Sequence, residues 1–598
     1  MTDRADQGTR VAALRTELRR QNVDGLIIPH ADEYQNEYTP DSAERLRWVT
    51  GFSGSAGTAV VLEDRGAIFV DGRYVLQVKE EVNPDCFIAY HSADTSLLEW
   101  LTSALGPGVR LGYDPWLHTP YEVEKLQTVC QKTQAVLIAC EPNPIDRVWI
   151  DRPDIPCTPM VVHPLQFSGK DSAEKRSELA QKLKDDAIEA VVVTAPDSLA
   201  WLLNVRGRDV SYSPLSLCMA IVGADGSVQL FIDAKKLTAD VRDHLGHGVS
   251  ILSPEDFGDE LKQLGSRRVT VQCDPEKSAF WIIDRLSRHG ATVVYGDDPC
   301  TLPKARKNSN EIRGMKEAHL RDGVALCRFL SWLDREGPSG RVTELEAAEY
   351  LEHGRRQNDL WQEPSFPTIS GAGPHGAIVH YRSTPETNAR LERGMLYLVD
   401  SGAQYLDGTT DVTRTVAIGK PTSEQRDRYT RVLKGHVGLA MARFPKGTTG
   451  GQLDALARKS LWDVGLDYDH GTGHGVGSYL GVHEGPQRIA KKGGAVALQP
   501  GMIVSNEPGY YKAGEYGIRI ENLVLVVVCA DVPDAERELL SFETLTLAPF
   551  DRELIERSLL LEEEVAWVDA YHARVFHTIG SSVDGKTSEW LQYVTRPL

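Results

Sequence analysis

Apolar and polar positions alternate along this chain with two periods, one helical and one of strand type, and their order divides it into three stretches. In the first, Val11, Leu14 and Leu18 recur at helical spacing, and a short apolar run of strand length, GLIIP, follows at 25–29. The same order returns near residue 170, where a helical pattern around SELAQKLKDD precedes the strand-like AVVVTA. Each copy continues into a Trp-containing segment, RWVTGFSGSAG at 47–57 and AWLLNVRGRDV at 200–210. Each then reaches a strand ending in Asp, AIFVDGRY at 67–74 and QLFIDAKK at 229–236. Two weakly similar α/β domains in tandem are the simplest account of this repetition.

Pro-rich punctuation, DRPDIPCTPMVVHP at 151–164, separates the two copies. The second ends near GDDPCTLPKARKNSN, which leads into a long helical pattern, NEIRGMKEAHLRDGVALCRFLSWLDRE. Further helical patterns follow (ELEAAEYLEHGRRQ, EQRDRYTRVLKGHVGLAMARF and GGQLDALARKSLWDVG), with strands between Gly-rich turns. The expected domains are therefore 1–160 and 161–309, both α/β, and 310–598, a third domain with a C-terminal extension. Helices on one side of a curved, largely antiparallel sheet are expected there.

Composition narrows the partners. At 598 residues the chain exceeds a single core. A net charge of −19 with no Lys/Arg-rich run argues against nucleic acid or an anionic membrane as the main partner. The opening MTDRADQGTRVAALRTELRRQ has no apolar core of a secretory signal, and no stretch approaches the roughly 18 apolar residues of a membrane span. Nine cysteines without a CxxC pair, and no N-x-S/T sequon, read as reduced thiols in the cytoplasm.

The chemistry concentrates in the last third. Asp400 and Asp411 lie in LVDSGAQYLDGTTDVTRT, His474 in HGTGHGVG, Glu507 in SNEPGYY and Glu521 in GIRIENLV. Their apolar neighbours Val399, Val412, Ile503, Val504, Ile518, Ile520 and Leu523 read as interior strands, where an uncompensated carboxylate is costly. Four carboxylates converging there repel one another unless cations neutralise them. If MLYLVDSG and DVTRTVAIG pair as neighbouring strands, Asp400 and Asp411 can face one pocket, while Asp407, beside Gly408, reads as a turn residue. Arg519 is the available counter-charge and is read as orienting a carboxylate ligand from outside the metal shell. His470, His474 and His483, three imidazoles within a Gly-rich stretch, are hard to explain as core packing. A hard donor set of this kind suits manganese, or cobalt and iron, better than a thiolate-type zinc site. Its charge balances two divalent ions, an arrangement that serves hydrolysis.

Other signals carry less. GAGPHG at 371–376 has GxGxxG spacing, but Pro374 interrupts it and AIVHY after it reads as strand, not as a pyrophosphate-binding helix. No HExxH and no GxSxG is present, and GTTGG at 447–451 lacks a P-loop lysine and reads as a helix-start loop.

The segments SFPTISGAGPHGAIVHY, DSGAQYLDGTTDVTRT, HGTGHGVGSYLGVHEGP and NEPGYY…GIRIEN resemble the creatinase/prolidase/aminopeptidase P group of metallopeptidases, with its "pita-bread" fold, over most of 310–545. The closest likeness is to the three-domain, cytosolic type of aminopeptidase P, whose two creatinase-like α/β domains precede the catalytic one. The resemblance implies an Xaa-Pro aminopeptidase with Asp400, Asp411, His474, Glu507 and Glu521 as ligands of two divalent ions, manganese first, with cobalt, zinc or iron as alternatives. It implies that a hydroxide bridging the ions attacks the carbonyl before proline, with Glu507 as general base. His380, in AIVHY, and His483 would bind substrate and shuttle protons, and His470 would line the substrate pocket. It further implies peptides with proline in second position as substrates, and a homodimer. His375 stands where a smaller polar residue is expected, and the tail WVDAYHARVF…TSEWLQYVTRPL resembles tail helices of the three-domain form. The alternatives are a prolidase restricted to dipeptides, a metal-free creatinase-type hydrolase, and a non-catalytic pita-bread protein that binds partners; all five ligand positions being filled argues against the last two.

Overall fold

The computed structural model describes residues 4–492 and 495–598. Two compact units emerge, Met1–Leu165 with Lys170–Thr301, and Gln166–Gly169 with Leu302–Leu598.

The first unit contains the repeat. One six-stranded sheet uses Gly25–Pro29, Thr58–Leu62, Gly66–Val70, Ile88–His91, Arg110–Tyr113 and Val136–Ala139; numbered in chain order, they lie 4-3-2-1-5-6. A second sheet uses Ala190–Val193, Met219–Gly223, Val228–Phe231, Val249–Leu252, Thr270–Cys273 and Thr292–Tyr295, again in the order 4-3-2-1-5-6. Even the directions agree: strands 1, 2 and 3 run antiparallel, and the 3–4, 1–5 and 5–6 pairs are parallel, in both. The central strands are continuous apolar runs buried on both faces, such as Ala190–Val193, as parallel sheets covered by helices require. The two sheet domains touch through Trp116 and Trp281, stacked with centroids 4.2 Å apart. The amides of Phe280 and Trp281 donate to the carbonyls of His118 and Pro115 beside that stack.

The second unit opens with the helix Ser309–Glu336, started by a reciprocal cap in which Asn308 accepts from the Asn310 and Glu311 amides and Glu311 accepts from the Asn308 amide. Helices Glu344–Arg356, Ser423–Ala440, Gly450–Trp462, Glu562–Ile579 and Gly585–Val594 follow, close to the expected helical patterns. Thr449 caps Gly450–Trp462, which makes GTTGG the helix-start loop it was read as. Every registered strand pair of this unit is antiparallel, but the strands form several small sheets of two to four strands instead of one curved sheet. Glycines and turns between the strands interrupt the ladders. The segment AIVHY, read as strand, is not one: Gly373–Ala377 forms a 3-10 turn, and Val379 and His380 lie in a turn. Pro374 fixes its own φ and lacks a donor, and Gly373 at φ +52° reverses the chain, so the apolar pattern loses to local geometry.

One side chain ties the tail to the strands. Arg414, 1% exposed, donates to the carbonyls of Thr413 (2.8 Å), Glu521 (2.7 Å), Ala548 (2.7 Å) and Pro549 (3.1 Å), and to Asn522 Oδ1 (2.8 Å) and Tyr571 Oη (3.1 Å). Tyr571 belongs to the tail helix Glu562–Ile579 and itself donates toward Ala548 O at 2.8 Å. A lysine cannot satisfy a planar fork of acceptors. Arg414→Lys is therefore expected to cost about 3 kcal/mol, because several buried acceptors lose their donor. Thermal melting checks it: an unchanged Tm for the variant would contradict the role given to this residue.

Candidate metal centre

The predicted site residues arrive at the centre from four stretches of backbone. Asp400 is on the strand Leu396–Ser401, which pairs antiparallel with Val412–Ala417 in the register Asp400↔Thr413 and Ser401↔Val412. The two strands are neighbours as expected, and Asp411 immediately precedes the second. Glu521 lies between the strands Tyr516–Arg519 and Asn522–Cys529, and its amide donates to Thr413 O at 3.2 Å, which joins it to the Asp411 segment. His474 is in Gly473–His474, and Glu507 follows Ile503–Asn506 directly; the Glu507 amide donates to Thr472 O at 2.8 Å. Only Asp400 and His474 lie within strands, so the acids stand mostly at strand ends, where side chains leave the pleat together. Gly473 is needed for the strand contact itself, since a Cβ there would fall 2.0 Å from Ser505 O.

Asp411, His474 and Glu521 offer ligand atoms that all lie within 4.8 Å of one another. His474 Nε2 is 3.4 Å from Asp411 Oδ2 and 3.5 Å from Glu507 Oε1. Its Nδ1 donates to Gly475 O at 3.0 Å, which fixes the tautomer and turns Nε2 toward the acids. Ser505 Oγ accepts from the His474 amide at 3.0 Å and donates to Glu507 Oε1 at 3.1 Å, so one hydroxyl registers both residues. Thr413 Oγ1 does the same for Glu521, donating to its Oε2 at 2.8 Å.

Arg519 meets Asp400, not the nearer-in-sequence Glu521: its Nη2 donates to Asp400 Oδ2 at 2.7 Å. It reaches Glu521 only through Thr413, whose Oγ1 accepts from Arg519 Nε at 3.2 Å. Its Nη1 donates to Tyr511 Oη at 2.6 Å, and that phenol is 2.8 Å from His470 Nε2. Because burial pushes the Tyr511 phenol up to about 12, it stays protonated and donates to His470. His470 Nδ1 in turn donates to Gly471 O at 2.7 Å, which leaves Nε2 facing the phenol. His483 packs edge-to-face on His474, centroids 4.3 Å apart. His380 is half-buried and follows Val379, whose carbonyl accepts from Arg519 Nη2 at 3.3 Å. His375 lies away from this chain of contacts. It pairs with buried Glu344 at 2.8 Å and stacks on Tyr381. Asp407, in its turn, pairs with Arg321.

Tyr511, Thr413 and Ser505 were not singled out from sequence. Tyr511 had a signal: in the hairpin Gly509↔Arg519, Tyr511↔Gly517, it stands diagonal to Arg519 on the same face.

The electrostatics describe a centre with too much negative charge. Burial pushes Asp400 up to about 7 despite the Arg519 guanidinium, with Asp411 adding to the rise. Burial likewise raises Glu507, and raises Glu521 well above the carboxylate range, with Asp411 and Asp400 reinforcing the latter. Burial opposes charge on His474, but Asp411 and Glu507 outweigh it and push the imidazole up to about 9. A proton thus sits on Nε2 where a cation would bind. Asp400 Oδ1 and Asp411 Oδ1 are buried and accept no hydrogen bond among the described residues. Oxygen atoms aimed inward without donors, beside an imidazole nitrogen with the right tautomer, fit divalent cations.

An antiparallel domain that gathers such acids, following two α/β domains in the chain, is the architecture of a metal-dependent hydrolase. Residues 313–527 match metallopeptidase family M24, 10–147 and 151–311 each match the creatinase/prolidase N-terminal domain, and 538–598 match the C-terminal region of peptidase M24. The chain is 40% identical to aminopeptidase P2 of Arabidopsis thaliana, over 96% of this chain and 86% of that protein. It is 38% identical to a probable Xaa-Pro aminopeptidase P of Paracoccidioides brasiliensis over 99% of both. The crystal structure of an X-prolyl aminopeptidase from Caenorhabditis elegans, a cytosolic enzyme with a di-nuclear active site, superposes with a TM-score of 0.95 at 34% identity, covering 99% of this chain and 100% of that one. The chain belongs to metallopeptidase family M24 and is a hydrolase.

The raised groups set a pH dependence. A carboxyl or imidazole with a raised folded-state pKa holds protons that the unfolded chain releases. The stability it contributes is complete below the unfolded value and is lost as pH rises through the folded one, about 7 for Asp400 and about 9 for His474. The metal-free protein should therefore lose stability from about pH 4 up to about pH 9, first through Asp400 and then through His474, and a cation that replaces the protons should restore it. Added manganese is expected to raise Tm more at about pH 8 than at about pH 5.5, with protons released on binding. Melts at both pH values, and calorimetry in buffers of different ionisation enthalpy, check this; equal stabilisation at both would refute it.

Proposed function

We propose that this protein is an Xaa-Pro aminopeptidase that removes the first residue from peptides with proline in second position. The observation that carries the reading is the convergence of Asp411, His474 and Glu521 to within 4.8 Å, in a chain whose full-length relatives are aminopeptidases P. In this reading Asp400, Asp411, His474, Glu507 and Glu521 hold two divalent ions, manganese first among them. Bound ions supply a hydroxide nucleophile at neutral pH and positive charge for the developing oxyanion.

The chain's own groups do the rest. Arg519 holds Asp400 in one rotamer through Nη2 and holds Tyr511 through Nη1, so a single guanidinium sets both the carboxylate and the phenol. Glu507, held by a hydrogen bond from Ser505 Oγ at 3.1 Å, is the carboxylate suited to act as general base in this reading. His483, packed on His474, and His380, beside the backbone that Arg519 grips, are the imidazoles placed to hold substrate and pass a proton to the proline nitrogen. In this reading His470, held by Tyr511 Oη at 2.8 Å, lines the substrate pocket. Proline lacks an amide hydrogen and is ring-constrained, so a pocket built for it gains specificity over ordinary peptides. The cytoplasmic address and the homodimer implied by the resemblance belong to the same reading, and no described helix is long and apolar enough to cross a membrane.

Purified protein with manganese should release Arg from a peptide beginning Arg-Pro-Pro. Hydrolysis of an Xaa-Pro dipeptide alone would make it a prolidase, and no hydrolysis of either would favour a binding role. Asp411→Ala and Glu521→Ala are expected to lose metal and turnover together. His483→Ala should retain metal and lose about a hundredfold or more in kcat, the scale of a general acid–base group. Metal analysis beside steady-state kinetics separates these outcomes.

A further inference from the structure

Directly after His483 stands a carboxylate that the centre does not use. Glu484 is buried, its side chain 1% exposed, and its two oxygens face two buried ammonium groups. Lys304 Nζ lies 3.1 Å from Oε2, and Lys307 Nζ pairs with Oε1. Both lysines belong to the stretch just ahead of the long helix Ser309–Glu336, outside the residues that match the M24 family. Lys307 is anchored again by its amide, which donates to Gly501 O at 3.0 Å.

The backbone of the same residue carries the link to the centre. The Glu484 amide donates to Gly475 O at 2.8 Å, and that carbonyl also accepts from His474 Nδ1 at 3.0 Å. One oxygen thus sets the loop bearing His483 and the tautomer of His474, whose rings pack 4.3 Å apart. The Gly475 amide donates to Gln487 O at 3.1 Å, closing the loop on its far side. A buried carboxylate between two ammonium groups costs desolvation that apolar packing would avoid, so its contribution is not simple stability. What charge-assisted contacts from two directions supply is a fixed position.

We propose that Glu484, clamped by Lys304 and Lys307, is a positioning residue that sets His483 against His474 for the peptidase reaction. The inference rests on the functional reading above. Glu484→Asp keeps the charge and shortens the arm by one methylene, drawing the loop toward the lysines. The expected result is a kcat lower by tenfold or more, with KM for an Arg-Pro-Pro peptide and metal content close to the parent protein. A crystal structure of the manganese-loaded variant should show the two imidazoles displaced from their packing.

A second variant guards against simple misfolding. Replacing all three residues (Lys304→Met, Lys307→Met, Glu484→Met) removes the three charges of the clamp together and keeps the volume near native. It should melt at or above the parent temperature and still show the loss in kcat. Native kcat in this triple variant, or unmoved imidazoles in Glu484→Asp, would overturn the proposal. Parent protein that binds manganese but cleaves no Xaa-Pro peptide would overturn the functional reading instead, while the imidazole geometry would still judge the clamp.

Discussion

The second unit is organised around an excess of buried negative charge. Asp400, Asp411, Glu507 and Glu521 converge in a largely buried place, where the Arg519 guanidinium donates to Asp400 and the His474 imidazole stands against Asp411 and Glu507. Arg519 and His474 do not balance four carboxylates at close range, so without metal Asp400, Glu507 and Glu521 hold protons more tightly than exposed acids do. Burial, with mutual repulsion behind it, raises Asp400, Glu507 and Glu521, while Asp411 and Glu507 raise His474 against its burial. The polypeptide accepts this cost because the backbone around the centre is satisfied elsewhere. Arg414 alone supplies donors to four carbonyls, including that of Glu521, and anchors them to the tail helix through Tyr571.

The same charge logic explains how Arg519 is used. A guanidinium has more donors than one carboxylate can accept. Having given Nη2 to Asp400, it passes Nη1 to Tyr511, and through that phenol reaches His470. The candidate ligands and the candidate substrate-pocket histidine are therefore coupled by a single planar group that cannot lose its proton. Lysine, a point charge with a flexible stem, would hold one partner and release the other.

How much of this was legible in the chain depends on the distance over which the physics acts. The repeated α/β order was legible because a buried parallel strand writes itself as a short apolar run, as AVVVTA does, and both sheets share one strand order. The acids were legible because a carboxylate among Val and Ile is conspicuous without any fold. The partner of Arg519 was not, since sequence proximity favoured Glu521 and tertiary contact delivered Asp400. AIVHY failed for a local reason: Pro374 and a left-handed Gly373 outrank the apolar pattern that follows them. Lys304 and Lys307 gave no sign at all, because lysines just ahead of a long helix are ordinarily solvated, and only the fold buries these two against Glu484.

Distances in the centre follow from strand register more than from the side chains themselves. Asp400 faces Thr413 across the ladder, Asp411 stands two residues before Thr413, and the Glu521 amide donates to the Thr413 carbonyl. A slip of one residue between Leu396–Ser401 and Val412–Ala417 would turn every side chain of the slipped strand to the opposite face and separate the acids. The packing that buries Leu396, Tyr397, Leu398 and Val399 on both faces of this strand therefore also fixes the ligand spacing. The core and the centre are held by the same register, which makes a packing change in these strands a change in the geometry of the site. That coupling is why hydrophobic residues far from any reacting atom belong to the chemistry of this protein.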